Sequence, residues 1–482
     1  MVAVGALAFG AWAPAAYAAE PTSAAAAVGA PAAAQERADV VGVPFRFVAF
    51  PYEVRDLPPQ RRPFALPWGV PRVDVRLHDA AGVRMRKVNG RVVNAPGTQA
   101  QYGVQNLNSY RLTGDRLFLE RAMAQAERLI ERRVQVGAAW FFPSRYTYRR
   151  HGKSGDLMRP PWYSAMAQGH ALALFVQLGE ITGEARYVRA AEATFAGFLR
   201  RGPRRGPWVV CVDASGYLWL EEWPKRPTDH TLNGHILAAW GVYEYYRTSG
   251  DPRALQIFRG AATTVQRYAR RFRRPGWISR YCLRHGGALA RYHDVHIWQL
   301  QRLHTITGDV RFARLAEAFY HDYPPPQLAA EMVLTAGRHR VYRFDRRGRI
   351  SGRRTLRLGA DRRVKITRRA RIRTRAGVWL RMTSGPGRGF WVREAAGRAY
   401  VPGLVAPLGA SPDRHGTWIA DEVTGRAFTG DGSVRAEKTL PGMVDGAVEL
   451  DCEAVINGAV MLRVCGGPFS GYWVSRDDVR LE

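Results

Sequence analysis

Residues 165–199 read AMAQGHALALFVQLGEITGEARYVRAAEATFAGFL. The run from Ala165 to Ile181 is apolar almost all round and too long for a strand, so it reads as a buried helix. Thr182-Gly183-Glu184 interrupts it. A glycine there ends a helix in the left-handed conformation, and the acidic residue after it is placed to cap the next helix. The chain then returns to a helical pattern, so the stretch is a helical hairpin. The same punctuation recurs at Thr113-Gly114-Asp115, Ser249-Gly250-Asp251 and Thr307-Gly308-Asp309, at spacings of 69, 67 and 58 residues. Fixed punctuation at a long period marks an array of hairpins.

Working outward, residues 97–325 are expected to form one such array. Its long repeats suit an α/α toroid, in which the inner helices line a cleft suited to a sugar chain. From 333 onward the helical period gives way to alternation with period two, as in Val364-Lys365-Ile366. Here Trp379-Leu380-Arg381-Met382 runs on to Phe390-Trp391-Val392, and Met461-Leu462-Arg463-Val464 to Tyr472-Trp473-Val474, an echo at an offset of 82 residues. Two small all-β modules, 333–396 and 397–482, are predicted. They resemble the SH3-like modules of secreted bacterial proteins. The expected fold class is therefore multi-domain, a helical α/α toroid followed by two small all-β modules.

Upstream, residues 41–96 carry proline clusters and short apolar runs and are expected to be irregular with a few strands. Residues 1–18 look like a signal peptide, with an apolar run from Val2 to Trp12 and a cleavage triplet Ala16-Tyr17-Ala18, though without a basic start. An Ala/Pro-rich linker is expected over 19–40. No later run is apolar for long enough to span a membrane.

The chain has 482 residues, enough for about three domains. Its 46% hydrophobic and 23% charged content excludes a fully disordered or fibrous protein. The formal charge is +31, and only five of the 72 basic residues are lysine. Such an excess points to an anionic partner. With export expected, that partner is an acidic polysaccharide or the cell envelope, and not nucleic acid. The charge is uneven. Residues 338–393 hold 20 Arg/Lys against two Asp, whereas residues 394–482 have a net charge of −5. Arg363, Lys365, Arg371 and Arg373 are spaced to share one strand face as a basic ledge. Among the four cysteines, Cys452 and Cys465 are spaced to permit a disulfide outside the cytosol. Cys211 and Cys282 are buried thiols or a second bridge.

Three stretches within the helical region carry polar chemistry. Residues 159–171 place Gln168 and His170 on an otherwise apolar helix, with Tyr163 before it. Residues 217–236 pack Glu221, Glu222, Trp223, Asp229 and Asn233 ahead of a helix. Adjacent carboxylates on a strand point to opposite faces, so at most one of the two enters a cleft. Residues 277–301 hold Tyr281, Arg284, His285, Tyr292, His293, His296 and Gln299. His293 and His296 stand one helical step apart, but no third ligand follows at a useful spacing, and no metal site is expected. Tyr102 completes the candidates.

Five strings within these stretches, WYSAMAQG (162–169), EEWP (221–224), LNG (232–234), YCLRH (281–285) and YHDVHIWQL (292–300), occur in the order found in the C-terminal catalytic region of D-glucuronyl C5-epimerases. Residues 97–323 resemble that region. The resemblance implies conversion of D-glucuronate to L-iduronate units within a polysaccharide, without a cofactor. It implies catalytic roles for Tyr281, Tyr292 and Glu222. Substrate binding would fall to Arg284, His285, Trp223, Tyr163, Gln168, Asn233, His293, His296, Gln299 and Tyr102. This chain departs from the family at Trp223, where Glu-Glu-Tyr-Pro is typical, and an indole is no acid or base at ordinary pH. Removing the C5 proton builds charge on the neighbouring carboxylate, which Arg284 would neutralise. A lyase begins with the same abstraction. A polysaccharide lyase, a glucuronyl hydrolase using Glu222 and Asp229, or a glycan- or envelope-binding protein are the alternative readings.

Overall fold

The computed structural model describes residues 35–38, 40–48, 54–66, 68–150, 156–202, 206–323, 327–345, 347–372, 374–408 and 414–481. The expected leader and most of the expected linker lie outside these residues, as does Arg373. The chain divides into two compact units. The first runs to Arg273 and resumes at 280–309; the second holds 274–279 and everything from Val310 onward.

The first unit is built from α1 (Pro96–Thr113), α2 (Arg116–Glu131), α3 (Ala165–Thr182), α4 (Ala185–Ala196), α5 (Leu232–Ser249), α6 (Pro252–Phe272) and α7 (Ala290–Thr307). Each recurrent turn does the same work. Gly114, Gly183, Gly250 and Gly308 have φ of 70°, 72°, 66° and 70°, the left-handed region that a side chain disfavours. In every copy the Thr or Ser hydroxyl before the glycine accepts from the amide two residues on, at 3.2 Å. Asp115 and Asp251 then cap α2 and α6 through Leu117 N and Arg253 N. Glu184 makes no such side-chain bond to α4, so the expected acidic cap holds only where the side chain is aspartate.

α1 packs on α3, α3 on α5 and α5 on α7, while α2, α4 and α6 each back the helix that precedes them. The inner row explains the all-round apolar character of α3, where Leu172, Ala173, Leu174 and Phe175 are fully buried. Short antiparallel pairs sit between the hairpins, among them Val210–Val212 with Leu218–Leu220. Ahead of α1, Phe45 is buried on Gly260 of α6, and a two-strand turn at Asn89-Gly90 joins Arg86–Val88 to Arg91–Val93. Among the described residues no helix is long and apolar enough to cross a membrane.

The second unit contains α8 (Val310–Asp322) and two antiparallel sheets. The seven-stranded sheet runs in the order 350–358, 337–344, 391–393, 375–382, 362–372, 327–334, 399–400. The eight-stranded sheet centres on Ala447–Ile456 and Ala459–Val464. The sequence echo is a register echo. Leu380 faces Val392 and Arg381 faces Trp391, just as Leu462 faces Val474 and Arg463 faces Trp473, each offset by 82. The core around Met332, Leu356 and Leu380 also takes in Val405 and Val455.

Two expectations are corrected here. Arg363 and Lys365 are exposed, but a register shift between Ile366 and Arg368 inverts the alternation. Arg369 turns inward to Glu394 at 2.8 Å and Arg371 is half-buried, so the ledge stops at the bulge. No disulfide joins Cys452 to Cys465. The strand register places Cys452 opposite Arg463, while Cys465 N bonds to Glu449 O, so the two sulfurs are not cross-strand partners. Cys211 and Cys282 are buried thiols.

Candidate active site

The EEWP string leaves the strand Leu218–Leu220, and its two carboxylates part as strand geometry requires. Glu221 turns to Cys211 and His230, while Glu222 turns to Tyr281. Glu222 is 3% exposed and lies over the first turn of α5. Gly234, in that turn, makes the position possible: a Cβ there would fall 2.4 Å from both Cβ and Oε2 of Glu222. The LNG string is thus read as space for a carboxylate. Burial pushes the Glu222 carboxyl up to about 7, against the opposing hydrogen bonds from Thr231 and Tyr281 and the charge of Arg150.

Tyr281 donates to Glu222 Oε1 at 3.0 Å and accepts from Trp223 Nε1 at 3.0 Å. Its ring centroid lies 4.6 Å from that of Tyr292, in the first turn of α7. Burial and then the Glu222 charge hold the Tyr281 phenol well above its usual range. The same two causes raise Tyr292 to about 12, partly opposed by Arg291. The Arg291 guanidinium lies 4.9 Å from the Tyr292 ring centre. Trp223 stacks on Tyr148 at 5.4 Å and 15°, with Trp162 also 5.4 Å away. The Arg150 guanidinium lies 5.2 Å from the Trp223 ring centre and pairs with Asp156 and Asp229. The arrangement is a carboxylate–phenol–phenol cluster beside a packed aromatic cluster, and it can move a proton.

The structure brings Glu222, Trp223, Tyr281 and Tyr292 together. Asn233 sits in the first turn of α5 and is joined to α7 by Gln299, whose Nε2 donates to Asn233 O at 2.9 Å. Arg284 is directed elsewhere: it donates to Pro227 O at 2.8 Å and lies 3.8 Å from Asp229. His285 lies 3.8 Å from Asp229 and 3.5 Å from the Cys282 sulfur. His293 and His296 are buried in α7; burial lowers His296 to about 3, so it stays neutral. Three candidates stand in structural roles. Gln168 ties Trp140 O and Thr194 O together at 2.6 and 3.0 Å. Tyr102 is buried under Arg76 and His78. Tyr163 packs on Phe141. Tyr148 and Arg150 were not among the sequence candidates. They lie outside the five strings, and only Trp162, within the first string, hinted at the aromatic cluster they complete.

Residues 139–321 match the model of the D-glucuronyl C5-epimerase C-terminus, which spans the four strings from EEWP onward as well as WYSAMAQG. A D-glucuronyl C5-epimerase from Caenorhabditis elegans is 28% identical over 88 residues, covering 18% of this chain and 14% of the relative. Among solved structures, an unsaturated glucuronyl hydrolase from Streptococcus agalactiae aligns at 16% identity and TM-score 0.32, over 47% of this chain and 57% of that one. Cellobiose 2-epimerase from Bacillus thermoamylovorans aligns at 10% identity and TM-score 0.35, over 48% and 60%. The chain spans less than two thirds of each of these relatives, and the resemblance to the C5-epimerases rests on residues 139–321.

Proposed function

We propose that this chain is a C5-epimerase-like enzyme that abstracts the C5 proton of uronate residues in an anionic polysaccharide. The observation that carries the reading is the chain of hydrogen bonds from Trp223 to Tyr281 to Glu222, with the Tyr292 ring packed against Tyr281 at a tilt of 48°. Tyr281 takes the C5 proton on its oxygen as its own proton passes to Glu222 Oε1. The Trp223 N–H stabilises the negative charge that gathers on the phenol oxygen during this transfer. Trp223 thus acts as a donor where a tyrosine is typical, and proton transfer stays with Tyr281, Glu222 and Tyr292. Returning a proton to C5 from Tyr292 gives the epimer and leaves that phenol to be reprotonated from Glu222 or solvent. Arg291, beside Tyr292, is the better placed cation for the substrate carboxylate, because Arg284 is drawn to Pro227 and Asp229. Tyr148 and Trp223, both partly exposed, supply the aromatic edge against which a pyranose packs, with buried Trp162 behind them.

The match of residues 139–321 supports the reaction class, and the positive charge of residues 338–393 supports an anionic polymer. The apolar run and Ala16-Tyr17-Ala18 triplet support an extracytoplasmic place of action. A lyase is the second reading, favoured by the indole at 223: with one fewer proton donor, the carbanion can instead expel its C4 substituent. Incubation with a panel of uronate polysaccharides in D₂O decides between them. Deuterium at C5 without chain cleavage is the expected result. Cleavage to an unsaturated, ultraviolet-absorbing product would assign the lyase. Binding without either would end the enzymatic reading.

A further inference from the structure

The other carboxylate of the EEWP string leads away from this chemistry. On the face of the Val210–Val212/Leu218–Leu220 pair opposite Glu222, Cys211 stands across from Trp219, and Glu221 follows two residues on. His230 lies against this face, its ring stacked on Trp219 at 4.2 Å and 23°. Its Nδ1 is 2.5 Å from Glu221 Oε1, and the Cys211 sulfur is 3.7 Å from the same oxygen. One sulfur, one nitrogen and one oxygen ligand atom thus lie within 4.8 Å of one another.

We propose that Cys211, Glu221 and His230 form a binding site for a divalent cation of the zinc class. Ligands held ~2.0–2.3 Å from a tetrahedral zinc lie about 3.3–3.8 Å apart. The Cys211–Glu221 separation already has this value, and the Glu221–His230 contact needs to open by roughly 1 Å. Charge favours the ion. One thiolate and one carboxylate cancel a 2+ cation, so the charges of Cys211 and Glu221, both almost wholly buried, are neutralised. Binding breaks the Glu221–His230 hydrogen bond, moves the proton held between Nδ1 and Glu221 to His230 Nε2, where it donates to the Thr228 hydroxyl, releases the Cys211 thiol proton to solvent, and forms S–M, N–M and O–M bonds without any redox change. The outer partners are in place. His230 Nε2 meets the Thr228 hydroxyl at 3.2 Å, which leaves Nδ1 as the ligating nitrogen. His230 also has φ of 53°, a strained backbone for a non-glycine residue that holds its ring toward Glu221. A second Cys/His/Asp group, Asp229–Cys282–His285, is less suited, because Asp229 is already paired with the buried Arg150. The proposed ion would clamp residues 221 and 230, the two ends of the loop that carries Glu222 and Trp223. Water or a further group completes its coordination, since His230 is partly exposed.

The test is cobalt titration of the full chain after removal of metals by a chelator. One Co²⁺ per chain with a near-ultraviolet sulfur-to-cobalt charge-transfer band and tetrahedral visible bands is expected. Cys282→Ser should keep the spectrum and Cys211→Ser should lose the charge-transfer band. Thr228→Ala should weaken binding about 10–100-fold. A chain carrying Cys282→Ser, Cys452→Ser and Cys465→Ser, with Cys211 its single thiol, must show the band even if Cys211→Ser does not fold. Absence of the band in that chain, its survival in folded Cys211→Ser, or its loss in Cys282→Ser would each overturn the assignment. The readout needs no substrate, so it stands or falls apart from the C5 reaction.

Discussion

Substituting alanine for Gly234 places one methyl group against Glu222, the carboxylate that receives the Tyr281 proton. The added carbon would sit 2.4 Å from Glu222 Cβ, 2.4 Å from Oε2 and 2.7 Å from Cδ. Carbon contacts are comfortable at ~3.5–4.0 Å, so Glu222 must retreat by about 1 Å. The clash involves Cβ as well as the carboxylate, so rotating the side chain cannot relieve it and the backbone of the EEWP segment has to move. A displacement of ~1 Å at a catalytic group costs on the order of 100-fold in rate, which is about 2.7 kcal/mol of transition-state stabilisation. Stability should change less. Overpacking costs about 1–3 kcal/mol, and alanine in place of glycine in a helix returns roughly 1 kcal/mol. Gly234→Ala is therefore expected to fold, with a melting temperature within several degrees of the parent, and to exchange deuterium at C5 about 100-fold more slowly. The assay is C5 exchange by NMR with circular dichroism alongside. A folded variant that exchanges within about threefold of the parent would refute the reasoning, because Glu222 could then move 1 Å without consequence.

Tyr281→Phe and Tyr292→Phe should each lower C5 exchange by ~10²–10⁴-fold while polymer binding changes little; parental turnover in both would remove the proton-transfer assignment. Trp223→Phe keeps the stack on Tyr148 but deletes the N–H to Tyr281, and a bond to a developing charge is worth ~1.5–3 kcal/mol, so turnover should fall about 10–100-fold. Retained turnover would mean the indole serves only as a platform. Gln168→Ala removes the amide that bonds Trp140 O and leaves Thr194 O with its helix-end bond from Gly197 N, and should destabilise the fold by about 1–3 kcal/mol with little change in KM; a large KM effect in stable protein would return Gln168 to the substrate site. Glu244, fully buried near the end of α5 and 3.9 Å from Arg62, is pushed by burial up to about 7. A carboxyl whose folded pKa is raised contributes stability that is complete below its unfolded value near 4.5 and is lost as pH rises through about 7. Glu244→Gln should then be the more stable protein above neutral pH, by roughly 3 kcal/mol, with the difference fading toward pH ~4.5. Urea-unfolding midpoints across that range read it directly, and a difference that does not vary with pH would contradict the burial argument.

The hairpins were legible because their signals are local. A left-handed glycine, a hydroxyl that bonds two residues on and an apolar run before it are all properties of consecutive residues. The 82-residue echo was legible for the same reason, since each copy is one strand pair with its own register. Alternation inferred for the basic ledge failed at Ile366–Arg368, where one inserted residue turns every later side chain over. The cysteine spacing failed likewise, because distance along a hairpin does not set register.

In the site, residue identity was readable and direction was not. The five strings named Glu222, Trp223, Tyr281 and Tyr292 without saying that the indole would point its N–H at the phenol. They did not separate Gln168, spent on two backbone carbonyls, from a sugar-binding amide. Nor did they suggest that Glu221 would meet Cys211 and His230 from positions ten residues before it and nine after.

Sequence by itself determined the helical hairpins, the turns that end them, the repeated β-segment and the string of residues the chemistry uses. These follow from backbone propensity and periodicity, which act between near neighbours. Tertiary structure alone decided which carboxylate faces which partner, that Gly234 is space for Glu222, and that Arg284 turns away while Arg150 is buried beside Trp223. Those depend on packing and desolvation among segments far apart in the chain, and a carboxylate, a thiol or an indole takes its chemical character from what surrounds it after the chain has closed.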